Sequence, residues 1–478
     1  MLRRALLLFL VGCGSGSSQP AADSGPDVDA GEHDSAVDAP PDDPSIEQGV
    51  FVENKGQTGP IEWIPIDSAG LHARVTLAAE IPAAGRHSTW GFSPDGAWLI
   101  YVLGQDPTES VWARYRGGAP QRIDDGSRPY WSGLTYTNDR IFFVGESKIA
   151  FTATLGADGI VGPSTQVSAP GKSVFSVPIA PSGKHVAMHY YPVPVQRVVQ
   201  DMSALGTDRS TCCSFGYYWN LSPEWAHQTD RELMVAGPQY ADRHLYVAGI
   251  DDTTPTPIHI PAQDGGQYVD YADWSADDEL IGYLTKMTTA NFSDHLWIAD
   301  VRGTPKRIEV TSAHTNGLGW RPGTNKHQLA YIEYPTYQSQ QRLMLGTVTL
   351  DPLAFSAVPI VTHAPSDIFS IDYEWNADGT AILHHGGATG DYTVTFVAAD
   401  GQTTDVPVGR VFRKQDATVD WSIPILSWSK DGRRFVVLSN TGFSVGSIDP
   451  ATRTLGPVLD LPSDVHFAFF DRRAVAGG

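Results

Sequence analysis

Gly442-Phe-Ser444-Val-Gly446 spells the glycine–serine–glycine pattern of a nucleophile elbow, which would make Ser444 an acyl-transfer nucleophile. That elbow needs a sharp strand-to-helix turn, with an acid and a histidine later in the chain. Here the flanking residues alternate as a strand and only about 30 residues follow, so Ser444 reads as part of a strand. Cys212 and Cys213 are adjacent, and Cys13 is the third and last cysteine. The pair could be a vicinal disulfide, two buried thiols, or a metal or redox site; without further cysteines or a nearby histidine it lacks zinc spacing. Fifteen histidines raise the question of a metal. His185 and His189 share one face of a strand, whereas His384 and His385 face opposite sides, and lone or solvated imidazoles are the default reading. Asp270 and Asp372 are the two carboxylates that acid–base cleavage of a glycoside could use. Residues 27–34, Asp-Val-Asp-Ala-Gly-Glu-His-Asp, fall short of the full spacing of a calcium loop.

The elements that carry these residues repeat. Phe92, Tyr136, Ile179, Leu221, Trp274, Trp320, Trp375 and Trp428 each precede a polar turn and then an apolar, alternating run, as in Asp-Trp-Ser-Ala-Asp-Asp-Glu-Leu-Ile-Gly-Tyr-Leu from Asp273. They stand 42 to 55 residues apart, 48 on average. A second pair of strand-like runs follows each phrase, such as residues 295–310. Four short strands per repeat at this period predict an all-β fold, a β-propeller of four-stranded blades. Eight phrases predict eight blades, or seven if one weak phrase is spurious. Residues 61–78 read as outer strands of a further unit and 465–470 as an inner strand, so the termini are expected to close the ring within one blade and leave no open edge. The aromatic residue is expected to pack between blades, the Asp-Gly turn to supply a positive φ, and the alternation to turn one sheet side inward. The phrase resembles the WD-like repeats of TolB-type periplasmic propellers over nearly all of residues 50–470, and is degenerate in the second, third and fourth units. One such scaffold hosts many functions.

In this architecture the connections into the inner strands ring the mouth of the central channel. They bring together Arg86, His87, Arg128, Tyr130, Trp131, Tyr217, Tyr218, Tyr268, Asp270, Tyr271, His314, Asp372, Tyr373 and Trp421, with Cys212 and Cys213 expected in one of these loops. Aromatic faces with polar tips and a few charges of both signs make a recognition surface.

The N-terminus opens with Arg3 and Arg4, a short apolar run and Leu-Val-Gly-Cys13. The run is too short to span a bilayer, which takes roughly 20 apolar residues. It resembles the lipobox of bacterial lipoproteins, which implies a signal peptide over 1–12, acylation of Cys13, and, with Gly14 following, an outer-membrane protein facing periplasm or cell surface. Residues 13–48 are expected to be a disordered tether. Nine acids and no Lys or Arg lie in residues 14–48. With +2 from Arg3 and Arg4 and −9 from the tether, the chain's net −21 leaves −14 on the propeller, residues 49–478. An acidic body argues against nucleic acid or an anionic membrane as partner. The sequence therefore reads as a non-catalytic, monomeric binding or scaffold propeller without a cofactor, engaging a protein or glycan of the cell envelope at the mouth and the membrane only through its lipid. The alternative is a carbohydrate-active enzyme, either a lyase with a divalent metal or a glycoside hydrolase.

Overall fold

The computed structural model describes residues 48–470 apart from 54–59, 68–69, 79–86, 104–109, 124–128, 146–147, 192–194, 216, 219–223, 239–241, 264–265, 287–294, 312, 324–326, 335–340, 363–371, 387–389, 413–425 and 466. Cys13 and the expected tether lie outside the described residues. Within them the chain forms nine antiparallel sheets of four or five strands, and the helical content is one 3-10 turn, Pro261–Gln263.

The fifth blade shows how the sequence builds each sheet. Its strands Tyr268–Trp274, Leu280–Lys286, His295–Asp300 and Lys306–Thr311 pair in chain order. Between the first two, the Ser275 hydroxyl donates to Asp277 at 2.7 Å and accepts the Leu280 N–H at 2.9 Å, so the turn is tied by its own side chains. Ser93 with Asp95 and Ser429 with Asp431 repeat the arrangement in the first and eighth blades. The residue after the turn aspartate needs a positive φ, met by Gly96 at 74° and Gly432 at 67°; in the fifth blade it is Asp278, at 63°.

The second strand of the fifth blade is buried on both sides, not on the one side that alternation suggested. Stacked blades cover each other's faces, so alternate residues enter different interfaces. Ile281 and Tyr283 join a cluster with Leu233 and Leu245 of the fourth blade, while Leu280 and Leu284 join Leu318 and Leu329 of the sixth. Nine such clusters, one per neighbouring pair, run round the ring. Trp274, Trp320, Trp375 and Trp428 end the inner strands of blades five to eight, and each is buried.

Two further sequence expectations need correction. The ring has nine blades, not eight or seven. Phe467–Phe470 pairs with Gln48–Glu53, which pairs in turn with Ile61–Asp67, and Val50 lies opposite Phe470. These closing strands are additional to the eight phrases, so they make a ninth sheet with its inner strand from one end of the chain and its outer strands from the other. In the fourth blade Leu221 lies outside the described residues, and the repeat residue is Trp225. It ends the inner strand Glu224–Trp225, and Ala226 N–H closes the following turn onto the Arg231 carbonyl, as Ser275 does onto Leu280.

Candidate functional site

In blades one to eight the inner strand runs from one face of the ring, the mouth, to a turn on the other face, and in blades one, five and eight that turn is Ser-x-Asp. The turn face is held by bonds between blades. The Asp278 carboxylate accepts the N–H groups of His227, Gln228 and Thr229 of the preceding blade at 2.6, 2.9 and 2.7 Å. Asp230 likewise accepts the Ser182 hydroxyl and His185 Nδ1, both at 2.6 Å. Arg321 donates to the carbonyls of Gly379, Val397 and Ala398 of the following blade at 2.6, 2.8 and 3.1 Å. A cavity of about 250 Å³ lies beside Arg321, Asp378, Phe396 and Arg453, but its central guanidinium is already engaged by those carbonyls.

On the mouth, Arg86, Arg128 and Trp421 lie outside the described residues. His87, Tyr130, Trp131, Tyr217 and Tyr218 belong to inner strands whose backbone is placed, while their side chains lie outside the described set. The remaining residues divide. Tyr268 is buried beneath the guanidinium of Arg243, 4.3 Å from its ring centroid, and Tyr373 donates its hydroxyl to the Ala330 carbonyl at 2.6 Å in the interface of blades six and seven. Burial, then the carboxylates of Asp273 and Asp372, pushes the Tyr373 phenol well above its ordinary range. Tyr268 is packing material; Tyr373 packs the interface while staying partly exposed, and Tyr271 likewise packs against the Leu318 and Leu329 core. Asp270, Tyr271, His314 and Asp372 remain partly exposed at the starts of the inner strands of blades five, six and seven. Asp270 is fixed by the fully buried Arg243 at 3.0 Å.

One buried acid near the turn-face end of an inner strand was hidden inside the repeat phrase. Asp273, next to Trp274, is buried, and loss of hydration pushes its carboxyl up to about 6 against the opposing pull of His227 and the N–H groups of Trp274 and Trp320. Glu374 occupies the matching place before Trp375.

The four strand histidines singled out in the sequence are not solvated. His185, His189, His384 and His385 are all buried. His189 accepts or donates at 2.9 Å to Ser176 through Nδ1 and meets Glu232 at 2.7 Å through Nε2, while Arg197 Nε lies 2.5 Å from the other Glu232 oxygen. Burial opposes ionisation of Glu232, yet His189 and Arg197 bring its carboxyl down to about 2. This charged chain fills the interface of blades three and four, whose buried apolar cluster is only Cys212, Met234 and Ala248. Cys212 and Cys213 form a vicinal disulfide there. They sit in the outermost strand Asp208–Phe215, not in a mouth loop, with Cys212 opposite Arg197. Ser444 lies in the strand Gly442–Asp449, buried and bonded to Asp460, without the strand-to-helix turn of a nucleophile.

The chain matches no family model and no curated protein. It is similar to a solved eukaryotic initiation factor with TM-score 0.51 at 13% identity, over 75% of this chain and 95% of that one. The fold is a β-propeller. The β-propeller domain of Cps50 (Swd1) from Myceliophteria thermophila is also similar, with TM-score 0.36 and 12% identity over 63% of this chain and 96% of that one. So is an oligogalacturonate lyase from Vibrio parahaemolyticus, with TM-score 0.40 and 9% identity over 85% and 98%. At these identities the likeness is one of fold, and function must be argued from the residues of this propeller.

Proposed function

We propose that this chain is a lipid-anchored binding module of a bacterial cell envelope, tethered through Cys13 and engaging a protein or glycan at its mouth. One observation carries the reading: Asp270, Tyr271, His314 and Asp372 stand partly exposed at the mouth on three successive blades. An aromatic ring with carboxylates and an imidazole on a rigid rim supports recognition at little entropic cost. The acidic body favours a neutral or basic partner. The Leu-Val-Gly-Cys leader and the resemblance to TolB-type propellers favour an outer-membrane setting.

The test is binding of the chain lacking residues 1–13 to isolated outer membranes and peptidoglycan. Saturable binding that falls at least tenfold in Tyr271→Ala/Asp372→Asn, measured at a temperature where the variant is folded, is expected; Tyr271 packs against the Leu318 and Leu329 core, so its loss also lowers the melting temperature. Absence of binding, or binding indifferent to the double variant, would overturn the reading. Cys13→Ser should release the full chain from membranes.

A second reading, a carbohydrate-active enzyme, draws on Asp273. A carboxyl raised to about 6 can deliver a proton near neutral pH, and Glu374 holds the matching strand position two blades on. Release of reducing ends from polysaccharides by the wild type, lost in Asp273→Asn, would establish it.

A further inference from the structure

We infer that Asp277, Glu279 and His327 form a divalent-cation site clasping the fifth blade to the sixth. It lies on the turn face, away from the mouth, and stands or falls separately from the binding function. His327 Nε2 is 2.9 Å from Asp277 Oδ2 and 3.7 Å from Glu279 Oε2. One ligand atom from each of the three residues lies within 4.8 Å of the others. A cation about 2.0–2.2 Å from each of three ligands at adjacent positions needs them roughly 3–3.6 Å apart, so small side-chain rotations complete the site.

The repeat supplies an internal control. In the first and eighth blades Asp95 and Asp431 tie the turn through one carboxylate oxygen, just as Asp277 does through Oδ1 with Ser275 and the Glu279 N–H. The architecture therefore needs only Oδ1. The positions matching Glu279 are Ala97 and Arg433, so neither of those turns places a second carboxylate beside its aspartate. Oδ2 of Asp277, the Glu279 carboxylate and the His327 imidazole are additions to the common turn, contributed by two blades and converging on one point.

The charges agree. Arg302, whose charge also reaches Glu279, is engaged by Asp300 at 2.9 Å and faces Asp351 at 3.7 Å. His327 and Asp277 are mostly covered, at 29% and 12% exposure, and Glu279 at 41% leaves an open side where water can complete the shell. One imidazole with two carboxylates suits Zn2+ or Mn2+ better than the all-oxygen preference of Ca2+ or Mg2+. Since the ligands come from two blades, the bound ion would stabilise their contact by linkage.

Chelator-treated full-length protein should be titrated with Zn2+ and with Mn2+ by calorimetry. One ion per chain at micromolar affinity or tighter is expected, with a raised melting temperature. His327→Ala and Glu279→Ala should each weaken binding at least tenfold and abolish the thermal shift while melting normally without metal. His295→Ala, which breaks the His295–Glu309 pair elsewhere on the surface, should bind like wild type. Absence of stoichiometric binding, or binding unaffected by both site variants, overturns the site and leaves an adventitious ion only.

Discussion

The indole N–H of Trp375 donates to the carbonyl of Gly319, 3.2 Å away in the preceding blade. Gly319 is the residue just before Trp320, and the relationship recurs in the neighbouring blades on either side. Trp320 donates to Asp273, next to Trp274, at 3.1 Å, and Trp428 to Glu374, next to Trp375, at 3.0 Å. Each tryptophan thus fills an interface and also fixes its register to the blade behind.

Trp375→Ala should destabilise the protein by about 3–5 kcal/mol, as large-to-small core changes do. Trp375→Phe keeps most of the volume but loses the donor and should cost roughly 1–2 kcal/mol. Denaturant melts of both variants check this; a Trp375→Phe variant as stable as wild type would deny the hydrogen bond its part.

Asp278 couples two blades through three N–H groups while holding a positive φ. Asp278→Gly should cost about 2–3 kcal/mol from the lost charge-assisted bonds. Asp278→Ala should cost about 1 kcal/mol more, because alanine also meets the backbone strain that glycine avoids. Thermal melts of the pair separate the two contributions.

Glu232 titrates far below its ordinary range, at about 2 in the folded chain against 4.5 for a free group. A depressed carboxyl contributes stability that is fully present above pH 4.5 and is lost as pH falls toward 2. The acid limb of the stability curve should therefore flatten in Glu232→Gln. That variant should also lose about 3–5 kcal/mol at pH 7, since it leaves Arg197 buried without its counter-ion.

Asp273 behaves in the opposite sense, with a folded value of about 6 above its ordinary 3.8. Its contribution is fully present below pH 3.8 and disappears as pH rises through 6, where a buried charge replaces the neutral acid. Asp273→Asn should accordingly melt higher than wild type at pH 8 and level with it near pH 4. A variant that melts lower at both values would show that the carboxylate itself is needed.

The blade architecture was legible because the aromatic residue and the turn behind it recur at a nearly constant period. The ninth blade was harder to count, since its strands come from opposite ends of the chain and no single phrase spans them. Leu221 stood in for Trp225 because Ser222 imitates the turn serine four residues early. Asp273 was overlooked as part of an architectural phrase, and only its burial against the sixth blade marks it out. Likewise His327 and Glu279 are 48 residues apart in sequence, and the ring alone brings them to 3.7 Å. The buried histidines defeated composition-based reading for a similar reason: Glu232 and Asp230, which partner His189 and His185, belong to the next blade.

Recognition at the mouth is tested most directly by a photo-reactive phenylalanine analogue placed in living cells at Tyr271, compared with one at Lys430, which is exposed in the eighth-blade turn on the opposite face. Illumination should trap one discrete adduct from position 271 and none from 430, and Asp372→Asn should diminish it. The same adduct from both positions, or an adduct from 430 alone, would contradict recognition at the mouth.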